Sequence, residues 1–220
     1  MPRAKPPSSL AAHAPLANRV APTGDLVSTP ARGGMLGNRG GRFHDPATQT
    51  VRGRPWATKQ WICCVLSFKN RTRDVWGRYY TELFFCDEVT ALAAGHRPCF
   101  ECRRAEAVEF AAAIARHDGL ARAPMAPEMD ERLHAERLNG REKQIHRLST
   151  RDLPDGAMIL IDGVPHALKE RRLLRWSFEG YAATDIALPD MADVLTPPTI
   201  LAALRAGYSP RWHKSADQTG

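Results

Sequence analysis

A chain of 220 residues, 43% of them apolar, can bury a sizeable core as one domain, and a net charge of +7 favours polyanionic partners over acidic ones. Five cysteines, two of them adjacent, argue against a disulfide framework and fit a reducing compartment such as the cytoplasm. No apolar run reaches the ~20 residues needed to span a bilayer, and the basic N-terminus lacks the apolar core of a secretory signal, so neither a membrane nor secretion is expected.

Residues 1–34 are rich in Pro, Ala and Ser and read as a disordered or loosely attached basic tail, leaving 35–215 as a single mixed domain. Residues 33–45, GGMLGNRGGRFHD, hold five glycines among Asn38, Arg39, Arg42, His44 and Asp45. Such a stretch either brings backbone N–H groups and arginines up to an anion or is a flexible loop leading into the core. His44 and Asp45 are also candidates for a metal ligand or a base. Residues 61–68, WICCVLSF, predict a strand covered on both faces. Its neighbouring Cys63 and Cys64 point to opposite faces, so at most one can reach a given metal. A polar, basic loop carrying Arg71 and Arg73 then leads to a strand over 80–85, expected to pair antiparallel with 61–68. Asp87 is placed to cap a helix over 88–94 that Gly95 ends. Next comes Pro98-Cys99-Phe100-Glu101-Cys102. A tight C-x-x-C turn points both sulfurs the same way, so Cys99 and Cys102 can fill two corners of a tetrahedral zinc site. Cys63, Cys64 and Cys86 are further candidates for the remaining positions.

Residues 91–102, ALAAGHRPCFEC, resemble the end of the Ada-type zinc domain of bacterial methylation-repair regulators. The resemblance runs over about residues 80–104. It matches Cys99 and Cys102 to that domain's last two zinc ligands, Phe85 to its strand aromatic and Arg103 to its trailing basic residue. It implies zinc as cofactor and DNA as partner, with a link to DNA repair. The family's other two cysteines, one of them the methyl acceptor, lie upstream as C-x-x-x-C. Here residues 70–79, NRTRDVWGRY, contain no cysteine, so the resemblance implies the scaffold without methyl transfer. The expected architecture is therefore α/β (α+β). An Ada-like small mixed sheet with helices occupies about 58–118, and a C-terminal antiparallel strand region about 150–213.

Beyond the knuckle, 105–117 predict an alanine-rich helix whose apolar face carries Val108, Ala111, Ala112 and Ala115. Residues 127–138 predict another, with Pro127 in its first turn and Gly140 past its end. Asp130 and His134 share a face of it, whereas His134 and Glu136 diverge. Residues 153–181 read as short strands separated by turns, Asp162-Gly163 suiting a tight hairpin. Residues 195–210 echo 83–98, either by duplication or as a chance likeness of two alanine-rich helix ends.

Three functions compete. The first is a DNA-binding protein on a zinc scaffold, with Arg71, Arg73, Arg97, Arg103 and Arg104 contacting phosphate without choosing sequence. The second is a metal- or base-dependent enzyme acting on nucleic acid or nucleotides, with His44, Asp45, Asp130, His134 and Glu136 as its chemical groups. The third is an interaction domain with a decayed metal site.

Overall fold

The computed structural model describes residues 15–72 and 74–218. In chain order the first half contains β1 (Arg19–Val20), β2 (Leu26–Val27), β3 (Met35–Arg39), the ribbon of β4 (His44–Asp45) and β5 (Thr50–Val51), β6 (Trp61–Cys64), β7 (Leu83–Phe85), α1 (Glu88–Ala93), β8 (Arg97–Pro98) and α2 (Arg104–Asp118). There follow α3 (Ala126–Arg137), the ribbon of β9 (Leu138–Asn139) and β10 (Glu142–Lys143), then β11 (His146–Ser149), β12 (Met158–Ile161), β13 (Val164–Lys169), β14 (Arg172–Ser177), β15 (Gly180–Ala183), β16 (Met191–Val194) and α4 (Pro198–Arg205). The α+β class expected from the sequence is the one the chain adopts. Among the described residues, no helix is long and apolar enough to cross a membrane.

Two sheets organise the molecule. The first runs β2-β1-β7-β3-β6-β8 and is mixed, with β1/β7 and β6/β8 parallel. The second, β11-β16-β12-β13-β14-β15, is antiparallel throughout, as the strand pattern of 153–181 predicts. Its β12–β13 hairpin turns on Asp162 and Gly163, both at positive φ (49° and 75°), the conformation a two-residue loop needs to follow the strand twist.

The short helix α1 is the hub, and all six of its residues are buried. Ala91 and Ala94 pack with Val20, Met35, Leu83 and Phe85 of the first sheet. Val89 and Ala93 pack with Met158, Ala167, Leu174 and Trp176 of the second. Leu92 reaches the core between α2, α3 and α4. Asp87 caps α1 as expected, accepting from the Thr90 N–H at 2.8 Å. It also accepts from the Tyr181 hydroxyl at 2.9 Å and the His213 N–H at 3.0 Å, so the cap ties the second sheet and the C-terminal segment to the helix start.

Several expectations are corrected. The tail ends earlier than residue 34: Arg19 pairs beside Phe84 and Val20 is fully buried, while residues 1–14 lie outside the described residues. The middle of the glycine-rich stretch is not a loop but β3, inserted between β6 and β7 and antiparallel to both. Consequently β6 and β7 do not pair, and both strands are shorter than predicted. On α2, Ala111 is buried as expected, but Val108 is half exposed and the rest of the buried face is Ala107, Phe110, Ala113 and Ile114. The echo between 83–98 and 195–210 extends to hydrogen bonding at the helix ends. Gly95 and His96 donate to the carbonyls of Leu92 and Ala91, and Gly207 and Tyr208 donate to those of Leu204 and Ala203. The likeness stops there, because Leu83–Phe85 is a sheet strand and 195–197 is not.

A three-cysteine candidate metal centre

Strand alternation and register build the site. On β3 and β6 the partners are Leu36 with Cys64, Gly37 with Cys63, Asn38 with Ile62 and Arg39 with Trp61. Leu36, Ile62 and Cys64 pack together on one face, where Cys99 joins them. The parallel edge strand β8 sets Pro98 beside Cys63, and the Cys99 N–H donates to the Cys63 carbonyl at 3.1 Å, which brings Cys99 alongside Cys64. Pro98 has no N–H to offer a ladder and sits on the edge, where none is required. The chain then turns through the knuckle. The Arg103 N–H donates to the Cys99 carbonyl at 3.0 Å, and the Glu101 N–H reaches the Cys99 sulfur at 3.4 Å.

The outcome is that Cys64, Cys99 and Cys102 have sulfurs within 4.8 Å of one another. Zinc–sulfur bonds of roughly 2.3 Å in a tetrahedron separate the sulfurs by roughly 3.8 Å, so the cluster fits one ion. Cys64 and Cys99 are buried and Cys102 is partly exposed. The Cys99 thiol is driven far below its usual value, first by hydrogen bonds from the Cys102 and Cys64 thiols, then by the Cys102 and Glu101 N–H groups, with burial opposing. These contacts favour the thiolate, the form that binds metal, at one sulfur of the group. All three cysteines line a cavity of about 330 Å³ shared with Asn38, Phe68, Arg71, Tyr80 and Glu82. Among the described residues no fourth Cys, His, Asp or Glu belongs to the group.

The sequence named Cys99 and Cys102 as ligands, and the structure brings them together. It also selects between the adjacent cysteines. Cys64 joins the group, whereas Cys63 faces the other side, where burial raises its thiol and the Arg103 guanidinium lies 3.8 Å from its sulfur. Cys86 is buried outside the group.

Two of the arginines expected on a phosphate-contacting face are not at the surface. Arg97 is 2% exposed and grips Asp130 with two bonds of 2.8 Å, fixing β8 to α3. Arg103 is 1% exposed and pairs with Glu88 at 2.7 Å. Buried charges need partners, so these two arginines are spent inside the molecule. Arg71 and Arg104 are exposed, Arg71 in an ion pair with Glu101 at 2.5 Å. Arg73 lies outside the described residues.

The candidate catalytic groups do not converge. His44 is buried, stacked on Trp76 and hydrogen-bonded to Thr81 and the Gly77 carbonyl. Asp45 closes a surface turn by accepting from the Ala47 and Thr48 N–H groups and pairing with Arg52. Asp130 is committed to Arg97, and His134 sits between Trp56 and Arg137. Glu136 accepts from both the N–H and the hydroxyl of Thr199, anchoring the start of α4. Each has a structural partner, and none shares a cavity with the cysteines.

Comparison with known proteins finds no match to this chain: no family model, no curated protein and no solved structure.

Proposed function

We propose that the protein is a zinc-thiolate protein in which Cys64, Cys99 and Cys102 hold one ion against the outer face of the first sheet. One observation carries this reading: three sulfurs from two separate segments converge within 4.8 Å beside a cavity. Three protein ligands leave one tetrahedral position for a ligand from outside the group, the arrangement of zinc sites that exchange ligands rather than purely structural ones. Elemental analysis of the purified protein should find a single zinc per chain. Cys64→Ser and Cys102→Ser should each lose it, while Cys63→Ser keeps it. Cobalt substitution should give intense sulfur-to-metal charge-transfer absorption that Cys64→Ser weakens. A protein free of metal, or a Cys64→Ser variant with full zinc and an unchanged cobalt spectrum, would overturn the assignment.

A second reading, that this scaffold contacts DNA beside the knuckle, draws on the net charge of +7 and on exposed Arg104 and Arg71. Phosphate contacts would give affinity that falls steeply with salt and differs little between sequences. Fluorescence anisotropy on unrelated duplexes at two salt concentrations, with Arg71→Ala/Arg104→Ala as the comparison, tests it. Binding unaffected by that double substitution would remove the reading.

A further inference from the structure

The face of the first sheet opposite the three-cysteine group carries a different chemistry. Arg39 of β3 and Trp61 of β6 are register partners there. The Arg39 guanidinium carbon lies 3.9 Å from the centre of the Trp61 ring, and that of Arg137, from the end of α3, lies 4.0 Å from it. Two guanidinium groups so near one centroid occupy opposite faces of the indole. Lys143 of β10 completes the group by donating to the Ala93 carbonyl.

Unlike Arg97 and Arg103, these cations have no carboxylate in direct contact among the described residues, although Asp25 near Arg39 and Asp130 near Arg137 partly offset their charge. Arg39 donates to His96 Nε2 and to the carbonyls of Gly24 and Pro55. Arg137 donates to the carbonyls of Gly95 and Lys59. Arg39 is 1% exposed and Arg137 0%, and the Arg137 Nε has no hydrogen-bond partner among the described residues. Burying positive charges together without a counter-charge is costly. Burial accordingly lowers all three, Arg39 and Arg137 to about 9 and Lys143 to about 7.

All three line a cavity of about 750 Å³, within the range of roughly 300–1,000 Å³ typical of small-molecule sites. Its other charged lining residues are Arg141, Asp25 and Glu142, so four basic groups face two acids and leave a positive surplus, of less than two charges at neutral pH because Lys143 is only partly protonated there. Trp56, Trp76, Leu26 and Val51 supply an apolar wall.

We propose that this cavity binds a small organic phosphate monoester of nucleoside-monophosphate size. A monoester carries about −1.5 to −2 charges at neutral pH, which the positive surplus attracts, and its oxygens can accept from Lys143 and Arg141, which reach the cavity surface, while buried Arg39 and Arg137 act as charges behind the wall. The apolar wall takes the organic body, which free phosphate lacks. The inference stands apart from the zinc reading, because the two sites use opposite faces of β3 and β6.

The test is thermal shift and tryptophan fluorescence on the full chain, with adenosine monophosphate, adenosine and inorganic phosphate compared at millimolar concentration. Adenosine monophosphate is expected to raise the melting temperature and change the emission, with adenosine and inorganic phosphate clearly weaker. Arg141→Ala, an exposed position, and Lys143→Gln should each weaken the monophosphate roughly tenfold, the effect of losing about 1.4 kcal/mol of charge-assisted contact. Cys64→Ser should bind it unchanged, which keeps failure here distinct from failure of the metal assignment. Lack of any response to the monophosphate, adenosine binding as tightly, or a response untouched by Arg141→Ala and Lys143→Gln would overturn the proposal.

Discussion

Arg103 offers the sharpest test of whether the cations near the knuckle serve the surface or the core. Its side chain and that of Glu88 are both fully buried, and their closest nitrogen–oxygen distance is 2.7 Å. Glu88 also accepts from the Tyr208 hydroxyl at 2.5 Å and the Arg211 N–H at 2.9 Å, so one carboxylate joins α1, α2 and the C-terminal segment. Arg103→Met keeps much of the side-chain volume but leaves that carboxylate buried with two neutral donors and no counter-charge. Removing one partner of a buried pair costs about 3–5 kcal/mol. For a chain of this size each kcal/mol moves the melting temperature by about 2–4 °C, so a fall of about 6–20 °C is expected. Arg104→Ala, one residue away and exposed, should stay within about 0.5 kcal/mol of the parent. The double variant Arg103→Met/Glu88→Gln should recover part of the loss, because the uncompensated charge goes with the carboxylate. Urea unfolding of the four proteins measures these differences. If Arg103→Met is no more destabilising than Arg104→Ala, or if it lowers DNA affinity while stability is untouched, the buried-pair reasoning is wrong.

Two further predictions follow from groups around the cation cavity. Gly95 and Gly207 end their helices at φ +87° and +96°, so an alanine at either position should cost about 1 kcal/mol in backbone strain. A Cβ at Gly95 would also lie 2.7 Å from Cδ and 2.8 Å from Cβ of Arg137, whereas one at Gly207 meets nothing within 4 Å. Gly95→Ala should therefore be the worse by about 1–3 kcal/mol in urea unfolding, and equal losses would mean that Arg137 does not pack as described. Lys143 gives a pH signature, its folded value of about 7 lying below the ordinary 10.5 because of burial and the charges of Arg39 and Arg137. Between those values the unfolded chain binds more protons, so stability gains from Lys143 as pH rises from about 7 to about 10. Arg141 and Glu142 also face the cavity, so the comparison with Lys143→Met isolates the contribution. A pH dependence identical in the two proteins would show that the lysine is not buried among like charges.

The parts of this fold that local chemistry dictates were legible. The Asp87 cap, the glycine stops, the Asp162-Gly163 hairpin and the Cys99/Cys102 knuckle each need only neighbouring residues to be recognised. What failed was long-range. Residues 33–41 look like a loop because glycine is depleted in strands, yet Gly37 lies in the middle of β3 for a steric reason. A Cβ there would come within 2.3 Å of the Ile62 carbonyl oxygen and 2.7 Å of the Phe85 ring, so glycine is what lets β3 pass between β6 and β7. Missing that strand produced the wrong pairing of 61–68 with 80–85. The charge count was misleading in the same way. It registers Arg97 and Arg103 as cations but cannot see that Asp130 and Glu88, distant in sequence, take them out of the solvent. Arg137 and Lys143 carried no local signal, because only the approach of α3 to β6 and of β10 to the end of α1 groups them with Arg39.

The choice between Cys63 and Cys64 shows how one strand register positions the side chains of both candidate sites. Alternation along β6 says that only one cysteine can face the knuckle, and it does not say which. The register with β3 decides, placing Leu36 against Cys64 and Arg39 against Trp61. Because side chains alternate with a period of two, slipping β6 by one residue would exchange every face at once. Cys63 would then stand beside Cys99, and Trp61 would leave the two guanidinium groups that bracket it. The contacts of Trp61 with Arg39 and Arg137 on one face therefore help to hold Cys64 among the thiols on the other. A substitution that removes them, such as Trp61→Ala, should loosen zinc as well as disturb the cation cavity, although Trp61 touches no sulfur of the group. Zinc affinity in Trp61→Ala equal to that of the parent, in a variant that still folds, would show that the knuckle and β8 fix the register without help from the opposite face.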